Sequence, residues 1–396
     1  MGGILDSNGI GATWVFNRSG GAWSQEGSKL VGEGAEGAFG VGQGVSVSLS
    51  ADGNTALIGG FRDSNNVGAA WVFSRSGGVW SQQGAKLLGT GYVGNPIFQG
   101  YSVSLSGDGN TAIIGGYGDD NQTGAAWVFV RSGTDWIQQG QKLVGTGGVS
   151  QTRQGFSVSL SFDGNTALVG APWDNHDVGA IWIFTRAGGI WTQQGSKVVG
   201  TGGAVPSEQG WSASLSADGN TAVVGGGLDN NAVGAVWIFT RSGNAWSQLG
   251  NKLVGTGAVG PAYQGQSVSI SGNGNTVIAG GFWDSTNTGA AWIYSQTPTI
   301  VKEPFGEVPR RFLLEQNYPN PFNPVTTIRY QLPTRVRVTL RVFDMVGKEV
   351  ARLVNGMEGP GYKTVDFSSY DLASGIYYYR LEAGDWVETR KLVLLR

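Results

Sequence analysis

The chain contains no cysteine and only one histidine, His176, among its 396 residues. Without cysteine it can form no disulfide bond and can use no thiolate for catalysis or metal binding. With a single histidine, neither a Ser-His-Asp triad nor a histidine-rich metal site can be assembled from the sequence. His176 stands between Asn175 and Asp177, and we interpret it as an exposed loop residue.

Charge and long apolar runs are also scarce. Charged residues make up 14% of the chain and the net charge is −2, so there is no basic surface of the kind that binds nucleic acid or anionic membranes. No apolar run approaches the ~18 residues of a membrane-spanning helix. No signal peptide precedes the repeats. Residues 1–8 align with residues 59–65, in mid-repeat, and we expect that upstream residues, a signal peptide included, are missing.

What the chain has in abundance is glycine, tryptophan and internal repetition. It contains 69 Gly and 15 Trp. A Ser-Val-Ser-Leu-Ser element, with small variations, recurs at a step of 55 or 56 residues. Its copies begin at Ser46, Ser102, Ser157, Ser212 and Ser267. A period of this length is typical of solenoids, propellers and arrays.

Residues 46–89 illustrate the repeating unit, which reads as four short strands, A to D. Strand A is SVSLS, B is the apolar run TALIGG, C is GAAWVFSR, and D is VWSQQGAKLLG. An Asp52-Gly53 turn between A and B predicts a hairpin, because glycine takes the positive φ that the turn needs. We therefore predict an all-β chain with a β-propeller of about six four-stranded blades. The first blade is incomplete, and the parent protein has six or seven.

Two positions vary among repeats that are otherwise nearly identical. One follows Gln-Gly at the start of strand A, and the other follows strand B. Both lie at the same end of the blade, and variation there indicates a ligand-binding rim. The predicted rim residues are Phe61, Tyr101, Tyr117, Phe156, Trp173, Trp211 and Trp283. The alternative is that these rings only fill the central funnel and pack under loops.

The repeat resembles the FG-GAP repeat of integrin-like propellers over residues 1–296. The match is carried by 154–161 (QGFSVSLS), 163–166 (DGNT), 170–172 (GAP) and the strand 179–184. Some blades of that family bind calcium through an Asp-rich loop between strands A and B. Here the loop is only Asp-Gly-Asn, which offers too few ligands.

Each loop between strands B and C keeps one aspartate, and a single Asp followed by Asn favours an Asx-turn over a metal site. We therefore expect no cofactor, with calcium as the weaker alternative. The calcium candidates are Asp63, Asp119, Asp174, Asp229 and Asp284.

The composition changes after residue 296. Residues 297–311 are rich in proline and mixed charge and are predicted to be a linker. Residues 312–396 contain six or seven short alternating runs separated by glycine turns, which predicts a small immunoglobulin-like β-sandwich.

The tail resembles the C-terminal sorting domain of the bacterial type IX (Por) secretion system. The match is carried by NYPNPFNP (317–324), TTIRYQLP (326–333), LRVFDMVGK (340–348) and LASGIYYY (372–379). The resemblance implies recognition by the type IX machinery and a secreted or cell-surface location. The sorting-motif residues are Asn317, Pro319, Asn320, Pro321, Gly347 and Gly375.

Together these patterns predict an exported, non-enzymatic propeller that acts as a binding or adhesion module. Its ligand on the rim is an unidentified protein or glycan. The alternatives are a secreted carbohydrate-active or other hydrolytic enzyme, whose paired carboxylates would have to meet across blades, and the accessory propeller of a larger enzyme.

Overall fold

A computed structural model describes residues 1–37, 40–295, 309, 311–317, 320, 322, 324–369 and 372–394. The chain divides into two compact units, Met1–Gln296 and Thr297–Arg396. Most of the predicted linker, 297–308 and 310, lies outside the described residues. No helix in the described part of the chain is long and apolar enough to cross a membrane.

The first unit is a series of antiparallel sheets, one for each repeat. Its strands are β1 (Gly2–Gly3), β2 (Ala12–Thr13), β3 (Phe16–Ser19), β4 (Ala22–Gln25), β5 (Gln43–Leu49), β6 (Thr55–Gly60), β7 (Ala69–Ser76), β8 (Val79–Gln82), β9 (Ser102–Leu105), β10 (Thr111–Gly116), β11 (Ala125–Ser132), β12 (Asp135–Gln138), β13 (Ser157–Leu160), β14 (Thr166–Ala171), β15 (Ala180–Ala187), β16 (Ile190–Gln193), β17 (Ser212–Leu215), β18 (Thr221–Gly226), β19 (Ala235–Ser242), β20 (Ala245–Gln248), β21 (Ser267–Ile270), β22 (Thr276–Gly281) and β23 (Ala290–Ser295).

Four sheets of the described region are complete blades, with strand orders β5-β6-β7-β8, β9-β10-β11-β12, β13-β14-β15-β16 and β17-β18-β19-β20. The A strands of successive blades contact one another, so strand A is innermost and strand D outermost. The second strand of each complete blade is almost wholly buried, as its continuous apolar sequence predicts. This is the predicted β-propeller.

The two end blades are incomplete among the described residues. The first consists of the short pairs β1-β2 and β3-β4, and the last of β21-β22-β23. Residues of the last blade, and residues next to the incomplete first blade, are exposed where their counterparts elsewhere are buried. On the last blade Ile293 is 71% exposed, against 9% for its counterpart Ile238. Val47 on β5, next to the incomplete first blade, is 43% exposed, against 7% for Val103. Burial in the inner blades therefore comes from the neighbouring blade.

Serines of strand A join adjacent blades at the centre of the propeller. The amide of Leu105 donates to the hydroxyl of Ser48 at 3.0 Å, and the amide of Leu160 donates to Ser104 at 3.0 Å. The hydroxyl of Ser157 in turn donates to the carbonyl of Gly210 at 2.8 Å. Because no β-ladder crosses from blade to blade, these side chains supply the partners that buried backbone groups require. This explains why serine alternates with apolar residues in every copy.

A buried glutamine closes each connection from strand D to the next strand A. The Gln154 side chain accepts a hydrogen bond from the amide of Gly145 at 2.6 Å and donates to its carbonyl at 3.0 Å. Four more glutamines make the same pair of bonds: Gln43, Gln99, Gln209 and Gln264. The primary amide reproduces the pairing of a backbone strand, so the Gln of Gln-Gly has a structural role.

The strand-C tryptophans pack on the same connections. The indole of Trp182 donates to the carbonyl of Thr146 at 2.8 Å and is completely buried. A Cβ added to Gly145 would lie 2.0 Å from this indole, so only glycine fits beneath the ring.

The loops between strands B and C contain six four-residue turns: α1 (Asp6–Gly9), α2 (Asp63–Asn66), α3 (Asp119–Gln122), α4 (Asp174–Asp177), α5 (Asp229–Ala232) and α6 (Asp284–Asn287). Their second and third residues have φ between +47° and +60°, so the turns are left-handed. This conformation costs roughly 1–2 kcal/mol per non-glycine residue, least for Asn and Asp. A closing bond from the Gly124 amide to the Asp119 carbonyl, 2.8 Å, offsets part of that cost.

The second unit is a β-sandwich. Its strands are β24 (Leu313–Leu314), β25 (Val325–Leu332), β26 (Val336–Phe343), β27 (Glu349–Glu358), β28 (Gly361–Ser368), β29 (Gly375–Ala383) and β30 (Trp386–Leu394). They form two sheets, β24-β25-β28 and β27-β26-β29-β30. Alternating residues of both sheets, including Tyr330, Leu340 and Tyr379, form one apolar core.

We predict that Gln154→Ala lowers the free energy of unfolding by roughly 3 kcal/mol, because it leaves two buried backbone groups without partners. Urea unfolding followed by tryptophan fluorescence measures the loss. Gln141 is exposed and provides the matched control, for which Gln141→Ala should change stability by less than about 0.5 kcal/mol. Equal losses in the two variants would show that the glutamine clamp contributes nothing.

Candidate functional site

The Gln-Gly turn determines which side chains reach the rim. In the third blade the amide of Tyr101 donates to the carbonyl of Phe98 at 3.2 Å, which closes a turn around Gln99 and Gly100. Gly100 has φ +81°, a value that favours glycine at the third position of a turn. The first and fourth residues of this turn, Phe98 and Tyr101, occupy positions that differ between repeats. Both rings contact Tyr117, the residue that follows strand B.

Rim residues of neighbouring blades form one continuous arc of aromatic rings. Tyr101 lies 4.8 Å from Tyr117 and 4.8 Å from Phe156, measured between ring centroids. Phe156 lies 5.0 Å from Trp173 and 4.7 Å from Trp211. These separations and tilts are in the range of favourable aromatic contacts. Phe61 extends the arc at one end through Tyr101, 5.7 Å away.

Six of the seven predicted rim residues therefore come together, and the seventh does not. Trp283 contacts Tyr263 at 5.5 Å and Phe282 at 5.4 Å in a separate cluster on the last blade. Within the arc, Phe156 is buried (7% exposed) and the other rings are half-buried. Phe156 thus fills the base of the arc, as expected if these rings only pack under the loops. The other five rings remain partly accessible to a ligand.

A third variable position on the rim was missed at the sequence level. It immediately precedes Gln-Gly and is occupied by Gly42, Phe98, Arg153, Glu208 and Tyr263. All five residues have positive φ, between +53° and +68°. The signal was available, because this position differs in every repeat while the Gln-Gly that follows it does not.

Arg153 stands in the middle of the arc. Its guanidinium carbon lies 4.1 Å from the ring centroid of Trp173, and its Nε donates to Oε1 of Gln122 at 2.8 Å. The stacking and the Nε bond fix the plane of the guanidinium. Arg153 lines two hollows.

The first hollow, of about 590 Å³, is lined by Ser150, Gln151, Arg153, Trp173, His176 and Asp177. The second, of about 430 Å³, lies on the other side of Arg153 and is lined partly by Phe98, Tyr117 and Gln122. Both volumes are within the range of small-molecule sites, roughly 300–1,000 Å³. His176 is exposed, as expected, and forms part of one wall.

Glu208 is 7% exposed and lies next to Asp177, which lines the larger hollow. Its amide donates to the backbone carbonyl of Asp177 at 2.9 Å, so two acidic residues of adjacent blades lie side by side. Burial, together with the nearby Asp177 carboxylate, raises the pKa of Glu208 to about 7, while Arg153 acts in the opposite direction. Glu208 therefore exchanges its proton near neutral pH.

The aspartates considered for calcium are occupied by protein donors. The Asp119 carboxylate accepts the amide of Val93 at 2.7 Å and the ammonium of Lys142 at 2.5 Å. The same lysine pairing occurs at Asp63, Asp174 and Asp229. Asp284 accepts the Val259 amide at 2.7 Å. Among the described residues no group of three or more His, Cys, Asp or Glu could hold a metal ion.

The A–B turn is likewise closed by its own residues. Asp52 accepts hydrogen bonds from the Ser50 hydroxyl and from the Asn54 amide. These bonds, that from Ser50 first, hold the pKa of Asp52 below its ordinary value. The carboxylate serves the turn, as the repetition of the motif indicates.

In the second unit, two asparagines of the sorting motif join the chain before β25 to β29 and β30. The Asn317 amide donates to the hydroxyl of Tyr379 at 2.7 Å, and its side chain donates to Thr326 at 2.9 Å. Oδ1 of Asn320 accepts the amide of Val393 at 2.7 Å. Pro319 and Pro321 lie outside the described residues. Gly347 has φ +84° in the β26–β27 turn, and Gly375 begins β29.

Residues 316–395 match the family model described as the secretion system C-terminal sorting domain. The C-terminal unit is a sorting domain. A sorting domain of this family supports secretion of the protein to the cell surface or beyond, as the type IX resemblance of the tail implies. The matched segment begins beside Asn317 and ends just after β30, and therefore covers nearly the whole sandwich.

Solved structures that resemble the whole chain share little sequence with it. A periplasmic gluconolactonase of Pseudomonas aeruginosa is 16% identical, with 89% of this chain and 94% of that chain covered and a TM-score of 0.43. PorZ, a surface component of the type IX system of Porphyromonas gingivalis, is 12% identical, with coverages of 99% and 64% and a TM-score of 0.27. No curated protein matches significantly. Scores this low carry no inference about activity, and the FG-GAP resemblance stays a prediction.

We predict that Glu208 makes stability depend on pH. Its pKa is about 7 in the folded protein, against an ordinary value of 4.5. The folded state therefore holds this proton more tightly, and the associated stability is complete below pH 4.5 and is lost as the pH rises to about 7. Glu208→Gln, which stays neutral, should match the parent at pH 4 and exceed it at pH 8 by at most about 3 kcal/mol.

Urea unfolding at pH 4, 6 and 8 measures this difference. Glu33 is an exposed glutamate elsewhere on the propeller, so Glu33→Gln should follow the parent at each pH. If the Glu208→Gln and parent curves ran parallel with pH, Glu208 would have an ordinary proton affinity.

Proposed function

We propose that this exported propeller is a non-enzymatic binding or adhesion module and that the aromatic arc is its binding surface. The observation that carries the proposal is the continuity of six rings, Phe61, Tyr101, Tyr117, Phe156, Trp173 and Trp211, across neighbouring blades. Exposed, rigid aromatic surface is the usual feature of a binding face, since it gains much area at low conformational cost.

The rest of the propeller supports this assignment by contrast. The repeats keep their turns, glutamines and serines nearly constant, and each of these has a structural partner. Variation includes the three rim positions, whose side chains form none of the bonds that close the turns. The sorting domain delivers this surface to the outside of the cell, where it can meet a protein or a glycan.

A hydrolytic enzyme is the second candidate. The observation that favours it is the meeting of Asp177 and Glu208 across two blades, with the pKa of Glu208 at about 7. A carboxylic acid that is partly protonated at neutral pH, next to a second carboxylate, is the pair that glycoside hydrolysis uses. The accessory propeller of a larger enzyme is a third reading, and the rim would then serve that enzyme's substrate.

We predict that Trp173→Ala and Trp211→Ala each reduce adhesion of the purified full chain at least tenfold, because each removes an accessible ring from the arc. Retention is measured on surfaces coated with collagen, mucin or cellulose. Trp23 is 68% exposed on the outer strand β4, so Trp23→Ala is the matched control and should adhere like the parent. A parent chain that adheres to none of the three, or arc variants that adhere normally, would contradict the proposal.

The enzymatic alternative has its own test. The full chain is incubated with soluble cellulose, xylan and mannan derivatives, and new reducing ends are counted. A non-enzymatic module produces none. Turnover that is lost in both Asp177→Asn and Glu208→Gln, but kept in Glu33→Gln, would establish the hydrolase instead.

A further inference from the structure

Each junction between blades brings together two residues at equivalent positions, so the charges of these pairs can be compared from junction to junction. The last residue of each left-handed turn accepts a hydrogen bond from the residue that precedes Gln-Gly in the next blade. The resulting pairs are Gly9 with Gly42, Asn66 with Phe98, Gln122 with Arg153, Asp177 with Glu208, and Ala232 with Tyr263. In four pairs at most one residue is charged, and in one pair two acidic residues come together.

This acidic pair is unfavourable for the fold. Like charges raise each other's proton affinity, and burial adds to the effect. Glu208 is more than nine-tenths buried, and no donor among the described residues bonds its carboxylate. Its oxygens are not among the fully buried, unpartnered side-chain atoms, so the small exposed part of Glu208 includes its carboxylate. An acid that has no protein donor but remains accessible, at a position that is neutral or basic in the other repeats, indicates a ligand that donates to it.

The surroundings of the pair restrict the chemistry of that ligand. An anion would meet the carboxylates of Asp177 and Glu208, and a cation would meet the guanidinium of Arg153. A neutral ligand with many hydroxyl groups can donate to the carboxylates and accept from the Nη atoms of Arg153 at once. One face of the Trp173 ring is covered by the Arg153 guanidinium, and the half-buried ring of Trp211 adds apolar surface for the carbon–hydrogen face of the ligand. A pyranose ring has all of these features.

We propose that the corner of the rim formed by Arg153, Asp177, Glu208 and Trp173 is a subsite for a neutral pyranose unit of an oligosaccharide. Glu208 accepts hydrogen bonds from sugar hydroxyls, Arg153 donates to a ring or hydroxyl oxygen, and the stacked Arg153–Trp173 pair forms the wall against which the sugar packs. The proposal rests on the proposed function of the arc as a binding surface. The hollow on the other side of Arg153 continues the site toward Phe98 and Tyr117.

The test uses the full chain and defined hexasaccharides of β-1,4-linked glucose, xylose, mannose and N-acetylglucosamine, with hexagalacturonate as the anionic comparison. Binding is measured by isothermal titration calorimetry at pH 8. We expect at least one neutral hexasaccharide to bind more tightly than hexagalacturonate. Glu208→Gln should weaken that binding by about tenfold to a hundredfold, because a bond to a charged acceptor is lost. Glu33→Gln should bind like the parent.

The pH profile separates a direct contact from a structural role. A ligand that donates to Glu208 prefers the ionised carboxylate, so the affinity should rise with pH by up to about tenfold per unit until pH 7 and then level off. Asp177, Arg153 and His176 line the same hollow, so a variant of His176 serves as the control. His176→Asn should keep the pH dependence, and Glu208→Gln should remove it.

Each remaining outcome overturns the subsite. If no neutral hexasaccharide binds while adhesion still depends on Trp173 and Trp211, the arc binds another class of ligand and the broader proposal survives. If adhesion does not depend on the arc either, both fail. If a hexasaccharide binds but Glu208→Gln has no effect, the sugar lies elsewhere. Cleavage of the bound sugar would assign Glu208 to catalysis.

Discussion

The propeller depends on how buried backbone groups are paired where no β-ladder can reach them. Each blade is a self-contained antiparallel sheet, and neighbouring blades share none of its strand hydrogen bonds. Part of the pairing comes from side chains, namely serine hydroxyls at the centre and one buried glutamine at each connection. Single backbone bonds between blades, such as that from the Gln99 amide to the Val67 carbonyl, add to it. Leaving such groups unpaired costs about 1–3 kcal/mol each, so these residues are nearly constant from repeat to repeat.

The same backbone pairing leaves the rim residues free to differ between repeats. Because the glutamine and glycine of each turn satisfy the backbone, the residues on either side of them need only tolerate the turn's geometry. Phe98, Arg153 and Glu208 adopt positive φ. This conformation is strained, and the surrounding hydrogen bonds hold it in place. The scaffold can therefore present different chemistry at each blade without altering its fold, which is how repeat architectures usually acquire binding surfaces.

The recognisable motifs of both units have structural partners. In the propeller, the repeated motifs stabilise the junctions between blades, and the proposed binding residues lie at positions that differ between repeats. In the sorting domain, Asn317 and Asn320 also have structural partners, since they join the start of the domain to β29 and β30. The motif's recognisable pattern thus follows at least partly from the packing of the sandwich.

The sequence by itself determined the repeat, the four strands of each blade, the sandwich and the export signal, because strand alternation and turn residues are local properties. It also located six rings of the arc. It did not reveal the lysine partners of Asp63, Asp119, Asp174 and Asp229, which lie 23 residues away, nor the separation of Trp283 from the arc. Only the tertiary structure brought Asp177, Glu208 and Arg153 together, since contacts across blades depend on the angle between sheets, which no local pattern encodes.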